Sequence, residues 1–458
     1  MRRFITFNNL LVIFFIILGT FLRFYKLPER TMFDADQEWI AYRAKEILNG
    51  DLALLGPKTS VGDFSIGPGY VYLTSAVSYF FDDNPISGAV LSVILGVITV
   101  YAVFLFTNKF IDKKVSFILL FLTSISFNLI TWDQSPWAPS LFFISQIVLL
   151  WGAYISKEND FGYLLMTTGF ILGFQSHFGI FLSFLSIFIY LVFVRPVKPR
   201  LSIVLHSLCI LFVGLSPNIL FDITHNFINI KRIREITKGD GALYFVGFGK
   251  IINTLAYNVV SLVYPRSVNI LDSFIIKGFF ALILVNCISL LRDKNSKKLA
   301  LLLLITTIFP SSFFYIQQGK FSEYYLMMTI PSLIFMLGFL LKKISEKRII
   351  LIIILVVATY LNFKTWYSYK RSWSLKSKID VTEFIISKGG KENYGISLSI
   401  KPGDQFGFKF IFDYYGIKAD IPPQKGETKI FSIILPDGFD GMRGMKQFDG
   451  IGLIWQGI

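Results

Sequence analysis

The densest group of reactive side chains in the sequence is the segment 34–38 (Asp-Ala-Asp-Gln-Glu), which carries three carboxylates in five residues. A carboxylate held within hydrogen-bond reach of a hydroxyl can act as a general base. Apolar residues at helical spacing over 37–48 predict an amphipathic helix lying at a membrane surface. Asp34 and Asp36, at the start of that helix, are the candidate catalytic residues, although carboxylates there also suit a helix N-terminus. Glu38 falls on the helix itself, which favours a solvated or salt-bridged role.

A second set of side chains offers positive charge or hydrogen bonds to a phosphate group. When a sugar leaves a phosphate, the departing phosphate must be stabilised, which lysine, arginine and histidine can do. Histidines also suit acid–base chemistry, but His177, at the end of an apolar run, equally suits a structural hydrogen bond. The basic stretch 231–238 equally suits a solvated surface. The candidates are Lys58, His177, His225, Arg232, Arg234, Arg266 and Lys320.

The composition predicts a polytopic α-helical membrane protein. Of 458 residues, 53% are hydrophobic and only 16% are charged, whereas soluble domains have about 25% charged residues. Runs of roughly 18 or more apolar residues, long enough to cross a bilayer, recur along the chain. The short apolar run 69–81 predicts a surface or re-entrant helix. Eleven spans are predicted: 5–24, 86–108, 115–132, 137–155, 161–177, 178–194, 201–221, 272–291, 299–316, 324–341 and 348–363.

Lysine and arginine are concentrated in alternate connections between these spans. If the N-terminus is cytoplasmic, the short basic connections face the inside and every acidic cluster faces the outside. The net charge of +15 is then largely a topology signal, and nucleic acid is not an expected partner. Cys209 and Cys287 form no disulfide or metal-ligand pattern. The sequence therefore predicts a multi-pass protein of the cytoplasmic (inner) membrane, with its N-terminus inside and its active site outside.

The composition changes after about residue 363, which divides the chain into 1–363 and 364–458. Within the first part, 25–85 is a long first outside loop. In the second part, alternation at Ile396, Leu398 and Ile400 and at every second residue over 406–412 predicts strands. Segments 430–435 and 451–455 also suit strands, and 380–387 suits a helix. An odd number of spans places this small α/β domain outside the cell membrane.

Several motifs occur together in the first part of the chain. Asp36-Gln37 precedes the amphipathic helix, and Leu-Gly-Pro-Lys-Thr-Ser (55–60) and Gly-Pro-Gly-Tyr-Val-Tyr (67–72) follow it. Later come Gln-Ser-His (175–177), Phe-Asp (221–222) with His-Asn-Phe (225–227), and Glu-Tyr-Tyr (323–325). Over 1–363 the chain resembles bacterial GT-C glycosyltransferases, nearest to the protein O-mannosyltransferase and aminoarabinose-transferase-like (glycosyltransferase family 39-like) group.

This resemblance implies an inverting hexosyl- or pentosyltransferase that moves a sugar from a polyprenyl-phosphate donor to an acceptor hydroxyl. The partners implied are that donor, membrane lipid, and a lipid, protein or glycan acceptor. Asp36 occupies the position of the catalytic aspartate, with Asp34 as the alternative. Better-known relatives often have Asp-Glu where this chain has Asp-Gln, so a divalent cation stays open as a cofactor. The residues expected to line the pocket, besides the cations above, are Gln37, Gln175, His177, His225, Asn226 and Tyr324.

The alternative to an enzyme is a transporter or lipid flippase. Such proteins usually place ionisable residues near the middle of the membrane and contain inverted repeats with broken helices. The predicted spans are nearly free of charge, and the sequence shows no internal repeat. A transporter also leaves the first-loop carboxylates without a role.

Overall fold

The structure is a computed structural model that describes residues 7–59, 64–236, 247–265, 273–316, 322–400, 407–434 and 445–456. Helices occupy most of the first part of the chain. Its helices up to the end of the predicted sixth span are α1 (Phe7–Phe24), α2 (Leu27–Arg30), α3 (Ala35–Leu48), α4 (Gly69–Phe80), α5 (Ser87–Phe110), α6 (Lys113–Ile125), α7 (Phe127–Asp133), α8 (Ser140–Ile155), α9 (Phe161–Phe174) and α10 (Ile180–Val194).

The remaining helices of the membrane part, together with two 3₁₀ segments, complete the bundle. They are α11 (Leu201–Thr224), α12 (Ile228–Ile236), α13 (Phe248–Val260), α14 (Ser273–Ser289) with 3₁₀ turn Leu290–Arg292, α15 (Lys297–Ile316), 3₁₀ segment Glu323–Thr329, α16 (Ile330–Ile344) and α17 (Arg348–Ser368).

Seven helical segments among the described residues are long and apolar enough to cross a membrane, or eight if α6 and α7 form one bent span. The three helices α8, α9 and α10 are apolar but shorter. Every predicted span therefore coincides with apolar helix, and the protein is a multi-pass membrane protein, while the count of eleven stays a prediction. The predicted short helix at 69–81 is present as α4, and the predicted helix at 37–48 is present as α3.

The third predicted span is bent by 60° between α6 and α7. Ser126 lies at the break, and the backbone N–H of Phe127 is satisfied by Oδ1 of Asn362 at 2.8 Å. A buried ion pair also supports the bend, since Nε of Arg23 donates to Oδ2 of Asp133 at 2.7 Å. The same guanidinium donates to the carbonyl oxygens of Ser124 at 3.1 Å and Thr123 at 3.2 Å. The carbonyls that the bend leaves without helical partners are thus bound by an arginine.

The basic connections meet at one end of the bundle. The guanidinium of Arg200 binds the carboxylate of Asp160 with nitrogen–oxygen distances of 2.7 and 2.9 Å. The ammonium of Lys342 donates to the carbonyl of Ile111 at 3.3 Å. The first loop, the α9–α10 turn and the α11–α12 corner meet at the other end. The sidedness of these ends in the membrane stays a prediction.

The C-terminal part has its own small apolar core and a mixed sheet. Two helices, α18 (Leu375–Gly389) and α19 (Phe408–Tyr415), accompany strands β1 (Glu392–Ser399), β2 (Lys418–Asp420), β3 (Ile430–Ile434), β4 (Lys446–Phe448) and β5 (Ile451–Gln456). The strand order is β2-β1-β3-β5-β4. The neighbours β1–β2 and β1–β3 are parallel, whereas β3–β5 and β4–β5 are antiparallel. The predicted small α/β domain is confirmed.

The strand predicted over 406–412 is wrong for its described residues, because 408–412 belongs to helix α19. The left-handed glycines Gly407 and Gly416 delimit a helix of eight residues, and such glycines favour a helix end over a strand. Phe408 and Phe412 lie one helical turn apart and are both buried in the domain core. Alternating phenylalanines thus suggested a strand, whereas the spacing of four residues between Phe408 and Phe412 serves the helix.

Candidate active site

The carboxylates of the first loop are distributed around the first turn of α3. Asp34 precedes the helix in extended conformation, and its backbone N–H donates to Oε1 of Gln37 at 2.9 Å. This is the Asp-x-x-Gln arrangement of a capping box, so Gln37 is buried and serves the helix end. Glu38 accepts a hydrogen bond from the backbone N–H of Phe410 at 3.0 Å. Only Asp36 among the three is left without a described protein bond.

Asp36 is accessible from solvent, but the surrounding walls remove much of its hydration. That partial burial raises the pKa of Asp36 above its usual range, and the negative charge of nearby Asp34 raises it further. A carboxylate with a raised pKa accepts a proton more readily, as general base catalysis requires.

Lys58 lies on a short two-stranded ladder formed by the Gly-Pro segment of the first loop. It pairs with Ser65 in antiparallel register. The N–H of Gly56 donates to the carbonyl of Ile66 at 2.9 Å. A Cβ atom at Gly56 would lie 2.1 Å from the carbonyl oxygen of Gly67, so only glycine permits this approach. Residues 60–63 lie outside the described part of the loop.

The corner between α11 and α12 holds this ladder from the other side. The side chain of Asn229 accepts from the N–H of Ser65 at 2.7 Å and donates to its carbonyl at 3.1 Å. The backbone N–H of Asn229 in turn donates to Oδ1 of Asp222 at 2.8 Å. Asn218 donates to the carbonyl of Ile66 at 3.2 Å. All three polar side chains are buried.

Gln175 connects the same loop to the end of α9. Its Oε1 accepts from the N–H of Gly69 at 2.7 Å, and its Nε2 donates to the carbonyl of Gly214 at 2.7 Å. The side-chain amide is thereby used within the protein. Gln175 and Gln37 were both expected in the pocket. They instead hold the backbone around it and line neither of the two cavities that contain Asp36.

Two cavities meet at Asp36. The larger, of about 940 Å³, lies between α3, the segment 51–58, the end of α11 and α19. The smaller, of about 280 Å³, lies between α3, the Gly-Pro ladder, the α9–α10 turn and the 3₁₀ segment. Three residues line both of them: Asp36, Pro57 and Lys58. A base and a cation thus stand at the junction of two separate binding spaces.

Histidine and aromatic side chains surround the smaller cavity. Nδ1 of His177 accepts from the backbone N–H of Gly179 at 3.0 Å, so the neutral ring carries its proton on Nε2. The His177 ring lies 6.0 Å from that of Tyr324, which makes an edge contact with Trp137 at 5.1 Å. His177, Tyr324 and Trp137 all line the cavity. The ring Nε2–H and the phenol add hydrogen-bonding groups to a wall that Ile40, Ile66 and Phe178 also form.

The remaining predicted site residues have different positions. His225 stacks on Phe221 with ring centres 4.1 Å apart and lines the larger cavity. Asn226 follows it as an exposed residue with a φ of 53°. Arg232 lies on α12 and lines neither cavity, and Arg234 belongs to the same helix. Arg266 and Lys320 lie outside the described residues.

Metal ligands are not grouped in this site. Across the described ranges, no group of three or more His, Cys, Asp and Glu side chains is placed to hold a metal ion. The carboxylate of Asp34, two residues before Asp36, binds the ammonium of Lys378 at 3.0 Å. The described side chains of this site therefore do not fit a divalent cation.

Four residues of the site were not predicted. Asn218 and Asn229 hold the Gly-Pro ladder, while Lys378 and Lys409 bring the C-terminal domain to the first loop and to the larger cavity. Asn229 gives one sequence signal, because it is a polar residue between two isoleucines at a helix start. The lysines give none, since their partners lie more than 300 residues away.

No family model and no curated protein sequence matches this chain. Solved structures do match it. The crystal structure of ArnT from Cupriavidus metallidurans bound to undecaprenyl phosphate superposes with a TM-score of 0.61 at 12% identity, covering 97% of each chain. The same protein in the apo state gives a TM-score of 0.61 at 10% identity.

Archaeal proteins from Archaeoglobus fulgidus match less completely. The oligosaccharyltransferase tethered with an acceptor peptide containing the NVT sequon gives a TM-score of 0.53 at 14% identity, covering 91% of this chain and 64% of that one. The oligosaccharyltransferase AglB in complex with an inhibitory peptide and a dolichol-phosphate gives 0.50 at 12% identity, covering 93% and 69%. Over nearly its whole length, the chain has the GT-C glycosyltransferase fold that its sequence predicts.

Proposed function

We propose that this protein is an inverting glycosyltransferase that moves a sugar from a polyprenyl-phosphate donor to an acceptor hydroxyl at the extracytoplasmic membrane face. The observation that carries the proposal is the position of Asp36 and Lys58 at the junction of the two cavities. Transfer between two bound substrates needs a base and a phosphate-binding cation at the point where the substrates meet. The binding of undecaprenyl phosphate by ArnT and of a dolichol-phosphate by AglB, which share this fold, supports the donor class.

Asp36 is the proposed base, and its neighbour Asp34 is less suited to the role. Asp36 lines both cavities, whereas Asp34 lines neither and is bound by Lys378. The ammonium of Lys378 thus occupies an oxygen of Asp34 that an acceptor hydroxyl would need. Partial burial raises the pKa of Asp36, which favours proton acceptance by that carboxylate.

The smaller cavity is the proposed site of the donor's sugar and phosphate. Its volume of about 280 Å³ suits a single sugar ring, and Lys58 lies at its mouth. Nε2–H of His177 and the phenol of Tyr324 provide hydrogen bonds to the phosphate or to sugar hydroxyls. Arg266 and Lys320 stay candidates for further phosphate contacts.

An apolar groove of about 470 Å³ is the proposed site of the polyprenyl chain. It lies between α13, α14 and α15, and Tyr315 is among the residues that line it. Ring contacts connect it with the smaller cavity, because Phe314, next to Tyr315, stacks on Tyr325 at 5.7 Å. Tyr325 contacts Tyr324 at 4.6 Å. A lipid lying in the groove would thus reach the donor cavity along an apolar path.

The larger cavity is the proposed site of the acceptor. The acceptor hydroxyl loses its proton to Asp36 while its oxygen attacks the anomeric carbon from the face opposite the phosphate. The bond between that carbon and the phosphate oxygen breaks, and the anomeric configuration inverts. The phosphodiester becomes a phosphate monoester with one more negative charge, which Lys58 stabilises. Asp36 takes up the acceptor proton and becomes neutral, so the total charge is unchanged.

The proposal is tested with the purified full-length protein and a panel of radiolabelled undecaprenyl-phosphate sugars, with membranes from cells lacking the protein as the source of acceptor. We expect label to move into membrane glycans, and Asp36→Asn to reduce this transfer by about 10²–10⁴-fold. Asp82→Asn is the matched control, since Asp82 belongs to the same loop, is exposed and lines neither cavity. Full transfer by Asp36→Asn would disprove the assignment of the base, and uptake of substrate into vesicles without a covalent product would favour a transporter.

A further inference from the structure

A lysine of the C-terminal domain reaches the helix that carries Asp36. Lys378, on α18, is fully buried. Its ammonium donates to the backbone carbonyl of Phe33 at 2.6 Å and to Oδ1 of Asp34 at 3.0 Å. Phe33 and Asp34 immediately precede α3, and Asp36 is the second residue of that helix. The ammonium is thus bonded to the two residues that set where the helix begins.

The surroundings of Lys378 show that the two domains are closely fitted at this point. A Cβ atom at Gly407 would lie 2.1 Å from the carbonyl oxygen of Phe33 and 2.9 Å from Nζ of Lys378. Gly407 has a φ of 90°, so both space and backbone conformation call for glycine. One turn along α3, Glu38 accepts the N–H of Phe410 in the first turn of α19, where a carboxylate is favoured.

We propose that Lys378 is a positioning residue for the transfer reaction, through which the C-terminal domain holds the first turn of α3 so that Asp36 stands at the junction of the two cavities. This inference rests on the proposed function. Lys378 acts through Phe33 and Asp34 and touches neither cavity. Docking of the C-terminal domain is therefore a condition of full activity.

Lys378 also offsets the charge of Asp34, the anion whose negative charge acts on Asp36. Without the ammonium, Asp34 would repel an ionised Asp36 more strongly, so Asp36 would keep its proton to higher pH. Besides the mutual Arg43–Asp51 pair, the charged or titratable side chains that line the two cavities with Asp36 are Glu38, Tyr42, Lys58, His177, His225, Tyr324 and Lys409. All these side chains are the same in the variant and in the wild type. A shift in the pH profile of the variant is therefore caused by the loss of the ammonium.

The test compares Lys378→Gln, Lys378→Arg and the matched control Lys388→Gln, an exposed lysine of the same helix. The readouts are kcat/KM against pH, with the labelled undecaprenyl-phosphate sugar used by the wild type, and hydrogen exchange of the peptide 33–38. For Lys378→Gln we expect kcat/KM to fall by about 10²-fold, since small displacements of a reacting group have effects of that size. We also expect the midpoint of the acid limb of the kcat/KM profile to rise by roughly one pH unit. The backbone amides at the start of α3 should exchange faster than in the wild type. Lys378→Arg should return the midpoint of the acid limb to the wild-type value, and Lys388→Gln should match the wild type in both readouts.

Two outcomes overturn the inference. One is a Lys378→Gln protein with unchanged exchange at 33–38 and an unchanged acid limb, whatever its rate. The other is loss of activity by the same factor at every pH in Lys378→Gln and in Asp34→Asn/Lys378→Gln, which would assign Lys378 to stability alone. Because exchange is measured without substrate, it tests the positioning even if the wild type transfers no sugar, a result that would refute the proposed function instead.

Discussion

The side-chain amide of Asn229 bonds both backbone groups of Ser65, accepting its N–H at 2.7 Å and donating to its carbonyl at 3.1 Å. Ser65 is the ladder partner of Lys58. The Asn229 side chain thus pairs with the backbone N–H and C=O of Ser65, as the backbone of a neighbouring strand would. These bonds stabilise the segment that presents Lys58 to both cavities. Asp222 completes the support by accepting the N–H of Asn229.

Replacement of Asn229 by alanine should therefore weaken donor binding without removing the base. The backbone groups of buried Ser65 would lose their partner, which costs about 1–3 kcal/mol. We expect KM for the polyprenyl-phosphate sugar to rise about tenfold or more while kcat changes less. Asn159→Ala is the control, because Asn159 also bonds a backbone N–H, that of Phe161, but in the α8–α9 turn. Equal effects of the two substitutions on KM would contradict the role of Asn229.

The two ring nitrogens of His177 have different partners, so His177→Asn and His177→Gln should differ in their affinity for undecaprenyl phosphate. Asparagine places its amide near the position of Nδ1, and glutamine places its amide near that of Nε2. Since Nδ1 is used by Gly179, the Nε2–H is the group available to the donor. We expect His177→Gln to retain more affinity for undecaprenyl phosphate than His177→Asn, measured as Kd by calorimetry in detergent. The reverse order would show that the turn contact matters more than the cavity contact.

Much of this architecture was predictable from the sequence, because the length of an apolar run is a local property of the chain. The start of α3 also follows from the local preference for carboxylates at a helix N-terminus. The contacts of Lys378 were not predictable, since a lysine in an amphipathic helix is ordinarily solvated and its partner Asp34 is 344 residues away. Similarly, Arg23 lies at the end of the first predicted span and Asp133 directly after the third, yet they form a buried ion pair.

The proposed base sets the acid side of the pH profile. The pKa of Asp36 is raised, chiefly by burial and further by Asp34. A raised pKa means that the proton is retained to higher pH, so the ionised base is lost earlier as the pH falls. We expect the acid limb of kcat/KM to have its midpoint above the value of about 3.9 for a free aspartate. Asp34→Asn should move the midpoint down, and a midpoint that stays in place would exclude coupling between the two carboxylates.

Removal of divalent cations should leave the reaction largely unchanged. The described residues offer no group of three or more potential metal ligands, and Asp34 is engaged by Lys378. We expect protein dialysed against EDTA to keep its transfer rate within about twofold of the untreated protein, since the proposed electrostatic stabilisation comes from cationic side chains. Loss of activity that is restored by Mg²⁺ or Mn²⁺ and not by salt alone would contradict this prediction and place a cation in the mechanism.

The apolar groove between α13, α14 and α15 predicts a dependence on the length of the donor's lipid. Ser312 lines the groove at an exposed position, so Ser312→Phe can fill the space without disturbing the buried core. Each buried methylene of a lipid contributes about 0.8 kcal/mol, and a phenylalanine that displaces several of them should lower the affinity for a long polyprenyl phosphate at least tenfold. A short geranyl phosphate, which need not enter the groove, should bind the variant and the wild type equally. Ser289→Phe, at an exposed position of α14 outside the groove residues, is the control. Equal loss of affinity for both chain lengths would mean that the substitution acts on the phosphate site, and no loss for either would place the lipid elsewhere on the bundle.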